Sequence, residues 1–534
     1  MARGRRKNPA GGSLIGGVVG KVKGLGYAST AYRMTLTGKT PDRLLLQPSD
    51  ILPGDAGRGG ALLENRYSFA GQEITAPDGP RPGINQNGLP WRYMDAGDVW
   101  FRELQSFEWL RDLRTLATQA SRARARKLLL HWLDLHTSID PLPWRPDLVG
   151  RRVSAWLAHG DFLLKDSDSS FSKRFFQGLA LQARHLSRTA RTGEDGVERI
   201  LALKGLLYAG LSLPDGERRT LQALKMLATE LPRQVWSDGG HFERSPSAHL
   251  SLLRHLIDIR GSLSAASQPV PKELNNAIDR MAPMLRAYRH GDGGLALFND
   301  SVENEAWLID LVLAQCGTKG RALDNAPHVG FRRVQSGRSL LIADMGAPAQ
   351  SGRRAHAGTL SFELSAGKER LIVNCGAWRG NNMGWRKALR ATAAHSTLTI
   401  NDTNSCELFD DGSIGTGPVQ CESSREDQEG ATWLEASHDG YREPFGLIHR
   451  RRLYIAPDGN NLRGEDRLSR ADQSNGGGRS FTIRFHLHPD VKASLVQDGG
   501  SVLLRPPSGS GWQLRADGGA IGLNESVYSG DGLN

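Results

Sequence analysis

Residues Arg353 to Gly376 read RRAHAGTLSFELSAGKERLIVNCG, and Arg390 to Asp402 read RATAAHSTLTIND. Both are short segments in which apolar and polar residues alternate, the period of a half-buried strand. Ala366-Gly367 breaks the first of them as a turn pair. The pattern extends on both sides. SGRSLLIADMGAP precedes it, and ATWLEASHDGY, IHRRRLYIAPDGNNLRGEDRLS and SFTIRFHLHPDV follow, with another turn pair at Asp458-Gly459. Many short strands separated by turns predict an antiparallel β-sandwich over residues 326–534. The chain stops at ESVYSGDGLN, where one more strand is expected, so an edge of the sandwich is expected to be missing.

Upstream the period changes to that of helices. In FRELQSFEWLRDLRTLA, Leu104, Phe107, Leu110 and Leu113 recur at three-residue steps. ARARKLLLHWLDLH continues as helix until PLPWRP, at Pro141 to Pro146, stops it. FFQGLALQARHLSRTA, ERILALKGLLYAGLSL, ERRTLQALKMLATELPRQV, AHLSLLRHLIDIR and EAWLIDLVLAQCG follow with short polar joints. Such helix pairs over residues 96–325 predict an (α/α) toroid, a partial helical barrel. Residues 1–95 read as an irregular basic region rich in Pro and Gly, with a short hairpin at Arg66 to Ile74.

The bulk numbers agree with two large domains. A chain of 534 residues is too long for one ordinary core. It has no apolar run long enough to span a membrane. The start, MARGRRKNP, imitates a signal peptide, but Lys21 and Lys23 interrupt the apolar part, which reads better as a basic arm. The four cysteines, Cys316, Cys375, Cys406 and Cys421, form no C-x-x-C pair and leave a disulfide among the last three open. A net charge of +11 favours an anionic partner. Arg-rich runs such as SRARARK, Ser121 to Lys127, read as solvated helix faces. No nucleic-acid module appears.

Two stretches carry a resemblance: SDGGHFERSPSAHLSLLRHLID, Ser237 to Asp258, and the β segments quoted first. YRHGDGGLALFND, Tyr288 to Asp300, lies between them. Together they resemble the heparinase II/III-like polysaccharide lyases. The resemblance implies a toroid, a β-sandwich, and β-elimination at uronic acid units of an acidic polysaccharide. It also implies a cell-envelope or periplasmic setting, with the cytoplasm as the alternative, since no clear export signal is present.

That chemistry requires a neutralised carboxylate, a base for the weakly acidic proton beside it, and an acid for the leaving oxygen. The resemblance points to His249, His241, Glu243, His356, Arg354 and Arg390 as candidate catalytic groups. Arg353, Asp238 and Tyr441 are candidate substrate contacts. His356 and His395 match metal-associated histidines of the family, with Asn374 where a carboxylate is usual, so zinc is an optional cofactor and none is required. Ser245-Pro246 is a helix start, with Ser as N-cap and Pro in the first turn. The family carries Tyr two residues after this Pro, as the acid or base of the reaction. Here that position is Ala248, and Glu198 and Arg199 stand where an Asn or His is usual. The sequence therefore supports two readings: an unusual lyase, or a catalytically impaired glycan-binding relative. A glycoside hydrolase using Asp238 and Glu243 is a weaker third.

Overall fold

The computed structural model describes residues 30–76, 89–91, 96–471 and 480–533; the basic start of the chain lies outside them. The chain forms two compact units. One holds Met1–Glu194, Glu198–Lys225 and Gly261–Gln268; the other holds Asp195–Val197, Met226–Arg260 and Pro269–Asn534. Residues 226–260 and 269–325 thus group with the strands, whereas the helical domain expected from sequence runs to residue 325.

In the first unit the predicted stripe Leu104, Phe107, Leu110 and Leu113 is fully buried. It does not form one helix. Gly97–Ser106 ends at Phe107, which takes a left-handed conformation with φ 59°, and Leu110–Leu116 begins a second helix. Packing decides this break. The Phe107 ring sits within 5.0–6.0 Å of Trp91, Trp109, Trp132 and Trp156, and that burial outweighs the roughly 1–2 kcal/mol a non-glycine residue loses there. Arg152 lies at the centre of this aromatic cluster. It stacks 4.1 Å over Trp132 and donates to Gln182 and to the carbonyls of Gln105 and Pro143.

The expectation that the Ser121–Lys127 arginines form a solvated face fails at Arg124. This residue is buried in the helix Gln119–Leu135 and donates to the Leu62 carbonyl and the Tyr67 hydroxyl. Charge runs read as solvated by default, but an arginine can turn inward when carbonyls meet it. The expected hairpin forms, as Arg66–Phe69 against Gln72–Thr75.

The second unit contains the sandwich. A six-stranded antiparallel sheet runs in the order His486–Leu487, Glu369–Val373, Phe362–Ala366, Ser339–Asp344, Phe331–Ser336, Asn325–Ala326. A four-stranded sheet runs Leu462–Arg470, Leu447–Ile455, Ala431–His438, Cys421–Gln428. Leu341, Phe362, Leu364 and Leu371 of the first share one core with Leu434, Leu453 and Ile455 of the second. Each such side chain contributes about 1.5–3 kcal/mol of burial. Alternation of buried and half-buried residues from Thr432 to His438 points one face at this core.

The strand Phe362–Ala366 is instead buried on both faces. Its alternate residues, Glu363 and Ser365, point away from the sandwich core into a polar layer, and that layer holds the candidate site. The four cysteines are free. No helix among the described residues is long and apolar enough to cross a membrane.

Candidate functional site

Ser245 caps the helix Pro246–Ala265 as expected, its Oγ accepting the Ala248 N–H at 3.3 Å. The turn before it delivers Glu243 into a closed space. Gly196 and Gly352 border this space with φ of +82° and +91°, and a Cβ on either would lie 2.5–2.6 Å from a Glu243 carboxylate oxygen. Only glycine permits that approach. Arg354 donates to Glu243 Oε2 at 2.6 Å and lies 3.9 Å from Asp300. Arg379 lies 3.8 Å from the same Asp300 carboxylate. The Asp300 N–H donates to His356 Nε2 at 2.9 Å. The structure therefore brings Glu243, Arg354 and His356 into one network, with Asp300 as the link.

The histidines fall into two groups. His241 Nε2 is 3.4 Å from the Gln234 side-chain oxygen Oε1, and its Nδ1 is 3.8 Å from Glu243. His249 Nε2 donates to the Met281 carbonyl at 2.9 Å. In both, Nδ1 is buried without a hydrogen bond, as is the nearby Tyr288 hydroxyl. Burial holds His241 well below the usual imidazole range, with His249 and Arg354 adding to it; burial brings His249 down to about 4.

His356 and His395 form the second group. The hydrogen bonds assign their tautomers. His356 accepts at Nε2, so its Nδ1–H donates to His395 Nε2 at 3.2 Å, and His395 Nδ1–H donates to the Ala391 carbonyl at 2.8 Å. Burial lowers both, His395 to about 4, and each is neutral at pH 7.

This wiring does not suit the zinc set of His356, Asn374 and His395. All four ring nitrogens are used within the protein, leaving no lone pair for a metal. Asn374 is also occupied: its amide nitrogen donates to Glu363 at 3.2 Å, and its oxygen accepts the Ser396 N–H at 3.0 Å. No group of three His, Cys, Asp or Glu among the described residues could hold a metal ion. Three other candidates also have structural partners in place of the expected ones. Arg390 donates to four carbonyls, those of Ala355, Phe409, Gly412 and Ser413, and so pins the loop that follows its helix. Tyr441 is fully buried, and its hydroxyl donates to the Leu398 carbonyl at 2.8 Å within a small apolar cluster. Asp238 accepts the N–H groups of Gly240, His328 and Val329 and shapes a turn. Arg353 is exposed.

Residues 109–315 match the family described as heparinase II/III N-terminus, and residues 318–533 match heparinase II/III-like, C-terminal. The chain belongs to the heparinase II/III-like family. It is 32% identical over 525 residues to FtsZ-localized protein C of Caulobacter vibrioides, covering 95% of this chain and 88% of that one. It is 25% identical over 313 residues to the heparin-sulfate lyase of Pedobacter heparinus, 51% of this chain and 46% of that one. Among solved structures, heparinase III superposes with a TM-score of 0.69 at 15% identity, over 91% of this chain and 81% of that one. A mutant of the heparan sulfate lyase HepC of Pedobacter heparinus gives 0.59 at 18%, over 91% and 79%. The fold is the helical toroid followed by a β-sandwich.

Set within this family fold, the segment Tyr288 to Asp300 supplies what residue-by-residue reading left out. His290 pairs with Glu363 at 2.9 Å, and Asn299 accepts the His356 N–H at 3.1 Å. Glu363, fully buried, also accepts the N–H groups of Leu297 and Asn374. Arg244 and Asp344 form a buried ion pair, with Arg244 also donating to the carbonyls of Val329 and Ala347. The segment Tyr288 to Asp300 shares in the family resemblance, but no residue of it is a site candidate from sequence.

Proposed function

We propose that this protein keeps the polysaccharide-lyase fold without the elimination chemistry, and that it works by binding an acidic polysaccharide. One observation carries the reading: among the described residues, the candidate proton-transfer groups at the lyase position, and the candidate cations Arg354 and Arg390, are buried or already committed to partners within the protein. The position of the proton-transferring Tyr is Ala248, itself buried. His241 and His249 retain lone pairs, but both side chains are fully buried, out of reach of a polymer. His356 and His395 spend all their nitrogens on each other and on backbone. The cations that would neutralise a uronate are committed, Arg354 to Glu243 and Arg390 to four carbonyls.

The test is a panel of heparan sulfate, hyaluronan, alginate, pectate and a bacterial exopolysaccharide, read by the ultraviolet absorbance of a 4,5-unsaturated uronate. Flat traces are expected on every substrate, with binding measurable by titration. Ala248→Tyr is expected to stay flat too, since a new phenol there meets no accessible substrate. A steady rise that both His249→Ala and His356→Ala abolish would establish a lyase and end this proposal.

The likeness to FtsZ-localized protein C, spanning 95% of the chain, favours a second, compatible reading. On it, this protein also resides with FtsZ, which supports the cytoplasmic alternative over the envelope. Purified protein is then expected to pellet with FtsZ polymers and to stay in the supernatant without them. Equal amounts in both pellets would remove this reading.

A further inference from the structure

The helix Met383–Arg390 carries an unusual surface. One side of it is anchored: Leu389 joins Cys375, Ala394 and Trp378 in a small core, Arg390 is pinned, and Asn382 caps the first turn by accepting the Trp385 N–H at 3.2 Å. The other side is bare. Met383 is 55% exposed and Trp385 40% exposed. The Trp385 ring lies 6.2 Å from that of Trp378, at 31° between planes. Trp378 Nε1 is buried without a hydrogen-bond partner. Beside these rings stand Arg379, Arg386 and Lys387. Lys387 pairs with Asp410 at the surface, and Arg379 donates to the Asp300 carbonyl. The Arg386 guanidinium, only half-exposed, has no hydrogen bond or ion pair among the described residues.

A cation without a counterion beside an exposed indole offers a surface for recognition, because each part has an unmet requirement. An exposed tryptophan face offers large apolar area at little entropic cost. An arginine fork matches a carboxylate in bidentate fashion. A chain of uronic acid units presents both complements in one residue: an apolar ring face of C–H groups and a carboxylate at its edge. The excess charge of the whole chain, +11, favours the same partner.

We propose that Trp385, Trp378 and Arg386 form a platform that binds an acidic polysaccharide, a sugar ring stacking on the indoles and its carboxylate pairing with Arg386. The platform rests on the binding reading above and places the glycan outside the closed histidine network, where it is held and not cut.

The full chain would be titrated with oligosaccharides of polygalacturonate, hyaluronan and alginate, followed by indole fluorescence and calorimetry. Cellohexaose serves as the neutral control. Trp385→Ala and Arg386→Gln, checked for folding by circular dichroism, are each expected to weaken uronate binding by about tenfold or more, which corresponds to about 1.4 kcal/mol. Arg386→Gln is also expected to reduce the salt dependence, and cellohexaose is expected not to bind.

Unchanged uronate affinity in both variants would overturn the platform and leave the binding reading standing. Formation of unsaturated product would overturn the noncatalytic reading and leave the platform standing. Anionic phospholipid vesicles and a single-stranded oligonucleotide form the remaining arms. If wild type binds one of these and no uronate, and Trp385→Ala loses it, the surface serves a membrane or a nucleic acid and the proposal falls.

Discussion

Arg244→Ala is expected to cost about 3–5 kcal/mol of stability, enough to unfold much of the protein at 37 °C. Arg244 and Asp344 are both buried to within a few per cent, and they pair directly. The guanidinium also donates to the Val329 carbonyl at 2.8 Å and the Ala347 carbonyl at 2.7 Å, and it lies 5.2 Å from the Phe331 ring centre. Truncation would leave one carboxylate and two carbonyls buried without these donors. The loss therefore far exceeds that of a surface ion pair such as Lys387–Asp410.

Urea unfolding of wild type, Arg244→Ala, Asp344→Asn and the double variant would measure it. The double variant is expected to be less damaged than the sum of the singles, because removing both charges leaves no unpaired ion. A loss below about 1 kcal/mol for Arg244→Ala would show that the pair does not hold the segment before Pro246–Ala265 against the strand Ser339–Asp344.

The second large effect is expected on acidification. His249 and His395 are buried and held at about 4 by desolvation, and His185 in the first unit is also near 4. In the unfolded chain each imidazole takes its proton near 6.5. Between these values the unfolded state binds more protons than the folded one, so stability rises with pH. The stabilisation is complete above about 6.5 and is lost as pH falls toward 4, on the order of 3 kcal/mol for each such histidine. Burial also holds His241, His356 and His438 well below the usual imidazole range. Urea midpoints at pH 7.5 and pH 5.0 would show it, since paired carboxylates such as Asp466 remain ionised at both. A much lower midpoint at pH 5.0 is expected, with the difference reduced in His395→Gln. Equal midpoints would show that these imidazoles are not buried neutral.

The same histidines show how far sequence carries a reading of the site. The two quoted segments name His356 and His395 together, and the structure joins them directly, from loops that flank strands. Their spacing of 39 residues says nothing about which nitrogen points where. That depends on the Asp300 N–H and the Ala391 carbonyl, which only the folded backbone brings to them. Arg390 teaches the same lesson. Its position beside TAAHST fits a substrate contact, yet a loop nineteen to twenty-three residues later supplies the carbonyls that consume it. Trp378 and Trp385 carry no local signal either, since indoles seven residues apart are more often core than surface.

What sequence alone determined here is the order of architecture. Three-residue steps followed by two-residue alternation specify helices and then strands, because those periods are properties of the local backbone and of one buried face. Family membership and the substitution at Ala248 were also legible, since both are matters of residue identity. What only the tertiary structure decided is availability. Whether a histidine keeps a lone pair in reach of substrate, whether an arginine is spent on carbonyls, and whether a tryptophan stays bare depend on partners distant in the chain. Those partners meet because apolar burial elsewhere closes the fold around them.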